Sequence, residues 1–92
     1  MSKFQVFFNR KAEKSLYRLP KKVLGSVYEL VSDLEVDPIP WRRWGVRPLK
    51  GRSSLFRVRL GQYRVVYHLY LDRREIVIQK IATRGKAYSS DD

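Results

Sequence analysis

The sequence predicts a single α+β domain, in which an antiparallel β-sheet with an N-terminal strand carries a two-helix hairpin packed on one face. Two observations support this fold class. An early strand pattern is followed by two segments with helical spacing, and the second half contains three strand patterns separated by turn residues. A chain of 92 residues suffices for one small domain. The predicted order over residues 1–92 is β-α-α-β-β-β.

The first half of the chain supplies one strand and both helices. Residues 3–8 alternate weakly, as in a strand, and Asn9 follows as a candidate N-cap. Apolar residues at helical spacing then predict a short helix that ends before Pro20. A second apolar helical face predicts a helix over residues 21–36, and Asp37-Pro38 ends it. Two helices joined at one proline are typical of an αα-hairpin.

The second half predicts the rest of the sheet. Residues 38–51 are loop-rich, with one short strand pattern at 46–49. Longer strands are predicted over residues 55–60, 63–71 and 76–83. The last of these begins with three consecutive apolar residues, so its alternation does not decide which face Lys80 occupies.

The two tryptophans of the loop region, Trp41 and Trp44, have two possible interpretations. They form a hydrophobic lid over one end of the core, or they form a platform on which a nucleotide base stacks. The lid is the more common use of such residues, because large aromatic side chains are mostly buried in domain cores.

Composition excludes several classes of protein. The absence of cysteine rules out a disulfide scaffold, a thiol nucleophile and a cysteine-ligated zinc site, and a single histidine, His68, argues against a histidine metal site. We therefore expect no metal and no organic cofactor. No apolar run approaches about 18 residues, and the first ten residues are too charged for a signal sequence, so we expect a cytoplasmic protein without a membrane partner.

The positive charge is concentrated in one half of the chain. The formal net charge is +11, and residues 42–86 hold 13 of the 20 Lys and Arg residues but only 2 of the 9 acidic ones. General solubility would not require this asymmetry. It favours a polyanionic partner, and because the basic half is predicted to form strands rather than an amphipathic helix, nucleic acid is favoured over a membrane surface.

A register can be predicted for the central hairpin. Gly61-Gln62 is a two-residue loop with glycine first, which suits a type II′ turn. Leu60 then opposes Tyr63, and counting back along both strands places Arg59 opposite Arg64. Opposed residues share a face of the sheet. One face then carries Phe56, Val58, Leu60, Tyr63, Val65 and Tyr67, and the other carries Arg57, Arg59, Arg64, Val66 and His68.

The three arginines on one face have a functional and a structural explanation. Like charges placed opposite each other destabilise a sheet by up to about 1 kcal/mol, so stability alone does not favour this pair. The arginines either splay into water and pair with distant acids, or form a rigid anion site suited to phosphate through bidentate contacts. Acidic residues are few in this half, which favours the anion site.

With these residues in place, the chain resembles the RelE family of bacterial and archaeal toxins within the RelE/ParE superfamily. The resemblance spans nearly the whole domain. Its parts are the early helix that ends at Leu19-Pro20, the segment Leu49-Lys50-Gly51, the strand pair from Phe56 to Tyr67, Thr83-Arg84, and Tyr88 near the end.

The resemblance implies the toxin of a type II toxin–antitoxin system, an mRNA endoribonuclease that acts in the ribosomal A site. It further implies that the ribose 2′-OH attacks the adjacent phosphate, and that a cognate acidic antitoxin (RelB-like) neutralises the toxin. The residues that match the family's functional positions are Arg57, Arg59, Arg64, Arg84 and Tyr88. We also expect three basic residues to contact RNA, namely Lys50, Arg52 and Lys86.

One departure from the family concerns proton transfer. Some members carry lysine where this chain has Arg57 and Arg59, and arginine effectively cannot give up its proton. The general base is then Tyr88, Lys50, a group of the ribosome or RNA, or no group at all. His68 is expected to be a structural or rim residue. Because the chain has no paired carboxylates or histidines on this face, it should be a weak nuclease without the ribosome.

Two other functions remain compatible with the sequence. A ParE-like inhibitor of DNA gyrase would share the scaffold but leave RNA intact. A non-catalytic RNA-binding module would bind with a steep salt dependence and break no phosphodiester bond.

Overall fold

The computed structural model describes residues 3–51 and 54–83. These residues form β1 (Gln5–Phe8), α1 (Arg10–Leu16), α2 (Lys21–Val36), α3 (Trp41–Trp44), β2 (Arg47–Pro48), β3 (Leu55–Leu60), β4 (Tyr63–Tyr70) and β5 (Glu75–Thr83). A single 3-10 turn, Leu71–Arg73, joins the last two strands. The five strands form one sheet in the order β1-β5-β4-β3-β2.

The predicted α+β class is confirmed, with one refinement to the sheet. β2, β3, β4 and β5 are antiparallel to their neighbours as predicted, but β1 pairs in parallel with β5. Strand direction depends on how the chain returns to the sheet, and alternation within six residues carries no information about that. α1 is also shorter than predicted, because residues 17–19 form turns before Pro20.

The helix boundaries follow from local chemistry. Asn9 caps α1 as predicted, since its side-chain oxygen accepts a hydrogen bond from the backbone N–H of Ala12 at 2.8 Å. α2 has the predicted bounds and begins directly after Pro20. Proline fits before a helix because its fixed φ is compatible with the first turn and its missing N–H is not needed there.

The core lies between the helical hairpin and one face of the sheet. α1 contacts β1 and β5, and α2 contacts β1 and β3. The fully buried apolar side chains at this interface include Val27, Leu30 and Leu34 from α2 and Val58, Val65, Tyr67, Ile76 and Ile78 from the strands. This face is the apolar hairpin face that the register predicts.

Tyr67 ties the sheet to the loop after α2. Its hydroxyl donates a hydrogen bond to the carbonyl oxygen of Pro38 at 2.8 Å. Burial raises the pKa of this phenol far above its ordinary value, and the nearby negative charge of Asp37 adds to the effect. Tyr67 is therefore a neutral structural anchor at every physiological pH.

The hairpin register is confirmed at every position. Six pairs join β3 and β4, from Leu60 opposite Tyr63 to Leu55 opposite His68, and Arg59 lies opposite Arg64. Gly61 has φ of 64°, whereas Gln62 has no positive φ, as a type II′ turn requires. The positive φ is accessible to glycine without steric cost and explains the residue type at the turn.

β5 contains an irregularity that the sequence did not reveal. Val66 lies opposite Lys80, but the next residue, Tyr67, lies opposite Ile78. Gln79 is therefore the extra residue of a β-bulge. The bulge lets both Ile78 and Ile81 reach the core, although three positions separate them.

Candidate anion-binding face

The sheet face opposite the core gathers five basic residues, which we call the basic face: Arg47, Arg57, Arg59, Arg64 and Lys80. The pairing register fixes their placement. One row runs across four strands, from Arg47 through Arg57 and Val66 to Lys80, and the adjacent row consists of Arg59, Arg64 and Ala82. Neighbouring strands lie about 4.8 Å apart, so the long basic side chains can converge on one ligand.

The residues of the basic face differ in exposure. Arg47 and Arg59 are exposed and Arg57 is half-buried. Arg64 is only 2% exposed, and all three of its guanidinium nitrogens are out of contact with solvent. A ligand on the basic face would therefore be separated from the Arg64 guanidinium by the groups that bury it.

Three of these cations are not neutralised by acids. Within residues 3–51 and 54–83, Arg47, Arg57 and Arg59 make no ion pair. Arg43 behaves differently, because its guanidinium contacts Glu29 at 2.7 Å and Asp33 at 3.0 Å. The charges of Arg47, Arg57 and Arg59 are thus available to a ligand, whereas the charge of Arg43 is compensated.

The structure places the other predicted site residues as follows. Lys50 is exposed in the loop after β2, close to the start of β3, where the Leu49 N–H donates to the Leu55 carbonyl at 2.9 Å. Four predicted residues lie outside the described residues: Arg52, Arg84, Lys86 and Tyr88.

Sequence reasoning missed Lys80, and the bulge is the cause. Past the bulge, Lys80 and Ala82 occupy the face of Val66 and Arg64, while Ile81 turns to the core. The spacing of Ile76, Ile78 and Ile81 contains the signal, since an alternation interrupted by one extra residue indicates a bulge. Arg47 was missed as well, because a two-residue edge strand has too short a pattern.

His68 lies on the same face, one row beyond Val66. Its ring stacks on Tyr70, with 4.1 Å between centroids, and its Nδ1 lies 3.5 Å from the Gln79 side-chain nitrogen. These contacts hold the ring among its neighbours in the next row. They support the expectation of a structural or rim residue.

The two tryptophans have different roles. The Trp44 indole donates a hydrogen bond to Asp33 at 2.7 Å and packs against the core, which fits the lid. Trp41 is 60% exposed, and the Arg42 guanidinium lies 5.2 Å from its ring centroid. Only Trp41 therefore offers a ring to a ligand.

The chemistry of the face is that of an anion site. Among the described residues, no group of three histidine, cysteine or acidic side chains is arranged to hold a metal ion. Clustered guanidiniums on a rigid sheet recognise phosphate oxygens through bidentate hydrogen bonds. None of the described helices is both long enough and apolar enough to span a membrane.

Comparison with known proteins identifies the family of the chain. A family model described as the ParE toxin of a type II toxin–antitoxin system, parDE, matches residues 6–88. The chain belongs to the RelE/ParE family of type II toxins. A candidate toxin RelE1 of Methanocaldococcus jannaschii is 38% identical to this toxin over 88 residues, which cover 96% of this chain and 98% of that protein.

Solved structures confirm the fold of this toxin. The archaeal RelE–RelB complex of Pyrococcus horikoshii contains a chain with a TM-score of 0.81 and 33% identity, covering 90% of this toxin and 97% of that chain. The toxin–antitoxin complex RelBE2 of Mycobacterium tuberculosis gives a TM-score of 0.70 and 29% identity, with coverage of 89% and 99%. Both relatives are thus known in complex with an antitoxin.

Proposed function

We propose that this toxin is a metal-independent mRNA endoribonuclease that cleaves message in the ribosomal A site and inhibits translation in the cytoplasm. The observation that carries the proposal is the register of the sheet, which gathers Arg47, Arg57, Arg59, Arg64 and Lys80 on one face. A preorganised cationic face of this kind suits a reaction in which negative charge accumulates on a phosphate.

In the proposed reaction, the 2′-oxygen attacks the adjacent phosphorus, and the bond to the 5′-oxygen of the next nucleotide breaks. Arg57 and Arg59 contact the non-bridging oxygens of the pentacoordinate phosphorane, and Arg64 stabilises the same charge from beneath the surface. The resemblance adds Arg84 to this group and Tyr88 as the residue that orients the nucleotide. Lys50, Arg52 and Lys86 contact flanking phosphates.

Dependence on the ribosome follows from what the basic face supplies. It offers charge stabilisation but lacks the paired carboxylates or histidines that would position and deprotonate a flexible RNA. Message held in the A site is already extended and oriented, which removes much of the entropic cost of reaching the reactive geometry. The ribosome therefore supplies positioning, and the toxin supplies electrostatics.

The proposed partner that controls the toxin is a cognate acidic antitoxin, RelB-like. The toxin carries a net charge of +11, and an acidic segment would be attracted to it and fold against it. The crystal structures of relatives with their antitoxins support this proposal.

The experiment is primer extension on a ribosome-bound message after addition of purified toxin. We expect breaks between the bases of the A-site codon, and Arg59→Ala should abolish them because that exposed guanidinium contacts the phosphorane. Arg10→Ala is the matched control, since Arg10 is equally exposed but lies in the first turn of α1. Intact message with the wild-type toxin, or full cleavage by Arg59→Ala, would contradict the proposal.

A second candidate is inhibition of DNA gyrase, which the ParE description of the matching family model favours. It predicts intact message, continued translation and a DNA-damage response after induction of the toxin. RNA binding without any cleavage would instead indicate a non-catalytic module. The same primer-extension experiment, combined with a gyrase supercoiling assay, separates these outcomes.

A further inference from the structure

The proposed reaction leaves one chemical need unmet by the arginines. When the bond to the 5′-oxygen breaks, the departing alkoxide needs a proton. Guanidinium groups do not release protons at any physiological pH, so Arg57, Arg59 and Arg64 stabilise charge without protonating the leaving group. The proton therefore has to come from a group other than these arginines.

Among the described residues, Lys80 is the one placed to donate this proton. It lies in the row of Arg57, separated from it by Val66 alone, with about 10 Å between the Cα atoms of the outer residues. The Val66 side chain between them is short and only 8% exposed. A lysine ammonium reaches about 6 Å from its Cα and carries three protons, any of which it can transfer.

Other described proton-transfer groups are placed less well. His68 lies in the next row and is held by Tyr70 and Gln79. Tyr63 opposes Leu60 on the core side of the hairpin, and Lys50 lies beyond the edge strand β2, on the opposite side of Arg57 from Lys80.

A cleft on the helix side of the sheet lies next to Lys80. It has a volume of about 470 Å³ and lies between α1 and the ends of β4 and β5. Its lining includes Tyr63 and Ile81 of the core face and, besides Lys80, the basic residues Lys11 and Arg18. Neither Lys11 nor Arg18 makes an ion pair among the described residues. Positive charge therefore extends from the basic face past the end of β5, which favours a polyanion near Lys80.

We propose that Lys80 is the general acid of this toxin, an assignment that rests on the proposed endoribonuclease function. The 2′-oxygen forms a bond to phosphorus and its proton passes to water. The bond from phosphorus to the 5′-oxygen breaks, and the electron pair on that oxygen takes a proton from the Lys80 ammonium. The products are a 2′,3′-cyclic phosphate and a 5′-hydroxyl, and the neutral amine regains its proton from water.

The test replaces Lys80 with arginine and changes the leaving group. Lys80→Arg keeps the positive charge but removes the transferable proton, so cleavage of natural message in ribosomes should fall by about 10²–10⁴-fold. A second message carries sulfur in place of the 5′-oxygen at the A-site linkage. A thiolate leaves without protonation, so on this message Lys80→Arg and the wild-type toxin should cleave at similar rates.

The matched control is Lys22→Arg, because Lys22 is exposed at the start of α2 and lies outside the basic face and the cleft. Thermal unfolding and antitoxin binding of Lys80→Arg should equal those of the wild-type toxin, which separates a chemical defect from misfolding. A second variant, Lys80→Met, should be slower than Lys80→Arg on both messages, because it also removes charge.

The outcomes distinguish the two proposals. If the wild-type toxin cuts both messages and Lys80→Arg cuts the natural one at the wild-type rate, the Lys80 assignment is wrong and the endoribonuclease function stands. An equal defect of Lys80→Arg on both messages would also overturn the assignment, since the lost property would not be proton donation. If the wild-type toxin cuts neither message, the proposed function fails and the assignment fails with it.

Discussion

Arg59 should lower the free energy of unfolding although it is part of the proposed phosphate site, and substitution of Arg59 measures this destabilisation. Arg59 lies directly opposite Arg64, and opposed side chains have Cβ atoms about 5 Å apart. Because Arg64 is buried, we take an effective dielectric constant of about 20 to 40, and with charge centres about 7 Å apart Coulomb's law gives a repulsion of about 1.2–2.4 kcal/mol. Arg59→Gln keeps most of the aliphatic stem and removes the charge, so we expect the free energy of unfolding to rise by about this amount.

The assay is urea unfolding of both proteins at low salt and at about 1 M salt. The gain should be larger at low salt than at high salt, because the Debye length falls to about 3 Å at 1 M salt and ions screen the exposed Arg59 side of the pair. Arg10→Gln is the matched control, since Arg10 is exposed at the start of α1 and opposes no cation on a strand. The same Arg59→Gln protein should fail to cleave message.

Two results would refute this reasoning. A loss of stability in Arg59→Gln at low salt would show that Arg59 contributes more through packing than it costs through repulsion. An equal gain at both salt concentrations would show that the change acts through strand propensity or the unfolded chain rather than through charge.

Four further predictions concern the scaffold. Tyr67→Phe should lower the free energy of unfolding by about 1–3 kcal/mol in urea titrations near neutral pH, because the partly buried hydrogen bond from the Tyr67 hydroxyl to the Pro38 carbonyl is lost. The wild-type toxin should also lose stability as pH rises above 10.0, the ordinary tyrosine pKa, because the Tyr67 phenol ionises there in the unfolded chain but stays neutral in the folded one. Tyr67→Phe should lack this part of the decline. Equal slopes of unfolding free energy against pH for the two proteins would contradict the prediction. Gly61→Ala should destabilise the toxin by about 1 kcal/mol, because its φ is 64°. Gly25→Ala in α2 should instead raise stability by up to about 1 kcal/mol, because no atom lies near the added methyl group.

The hairpin register was predictable because one residue type fixes it. Glycine at the first loop position selects a short turn, and the period of two then determines every pair back to Phe56 opposite Tyr67. The α2 boundaries were predictable for a similar reason, since Pro20 and Pro38 lie next to both ends of an apolar helical pattern.

Features that depend on distant segments were not predictable in the same way. β1 meets β5 about 70 residues later in the chain, and parallel or antiparallel pairing would bury the same apolar residues. The bulge at Gln79 places Lys80 on the basic face, and a regular alternation would have placed it elsewhere. The burial of Arg64 depends on what surrounds it in three dimensions, whereas its register alone predicts only the face.

Because Arg64 is buried, it differs in mobility from the exposed arginines of the basic face. A guanidinium that is 2% exposed keeps its charge and is held in place by its surroundings, whereas the exposed side chains of Arg47 and Arg59 can change conformation to fit a ligand. In the proposed reaction, such a fixed charge stabilises the phosphorane more than the ground-state phosphate, because the extra negative charge of the transition state develops next to a group that is already oriented. Arg64→Lys should therefore lower the cleavage rate more than it weakens binding of the message, whereas Arg47→Ala should mainly weaken binding.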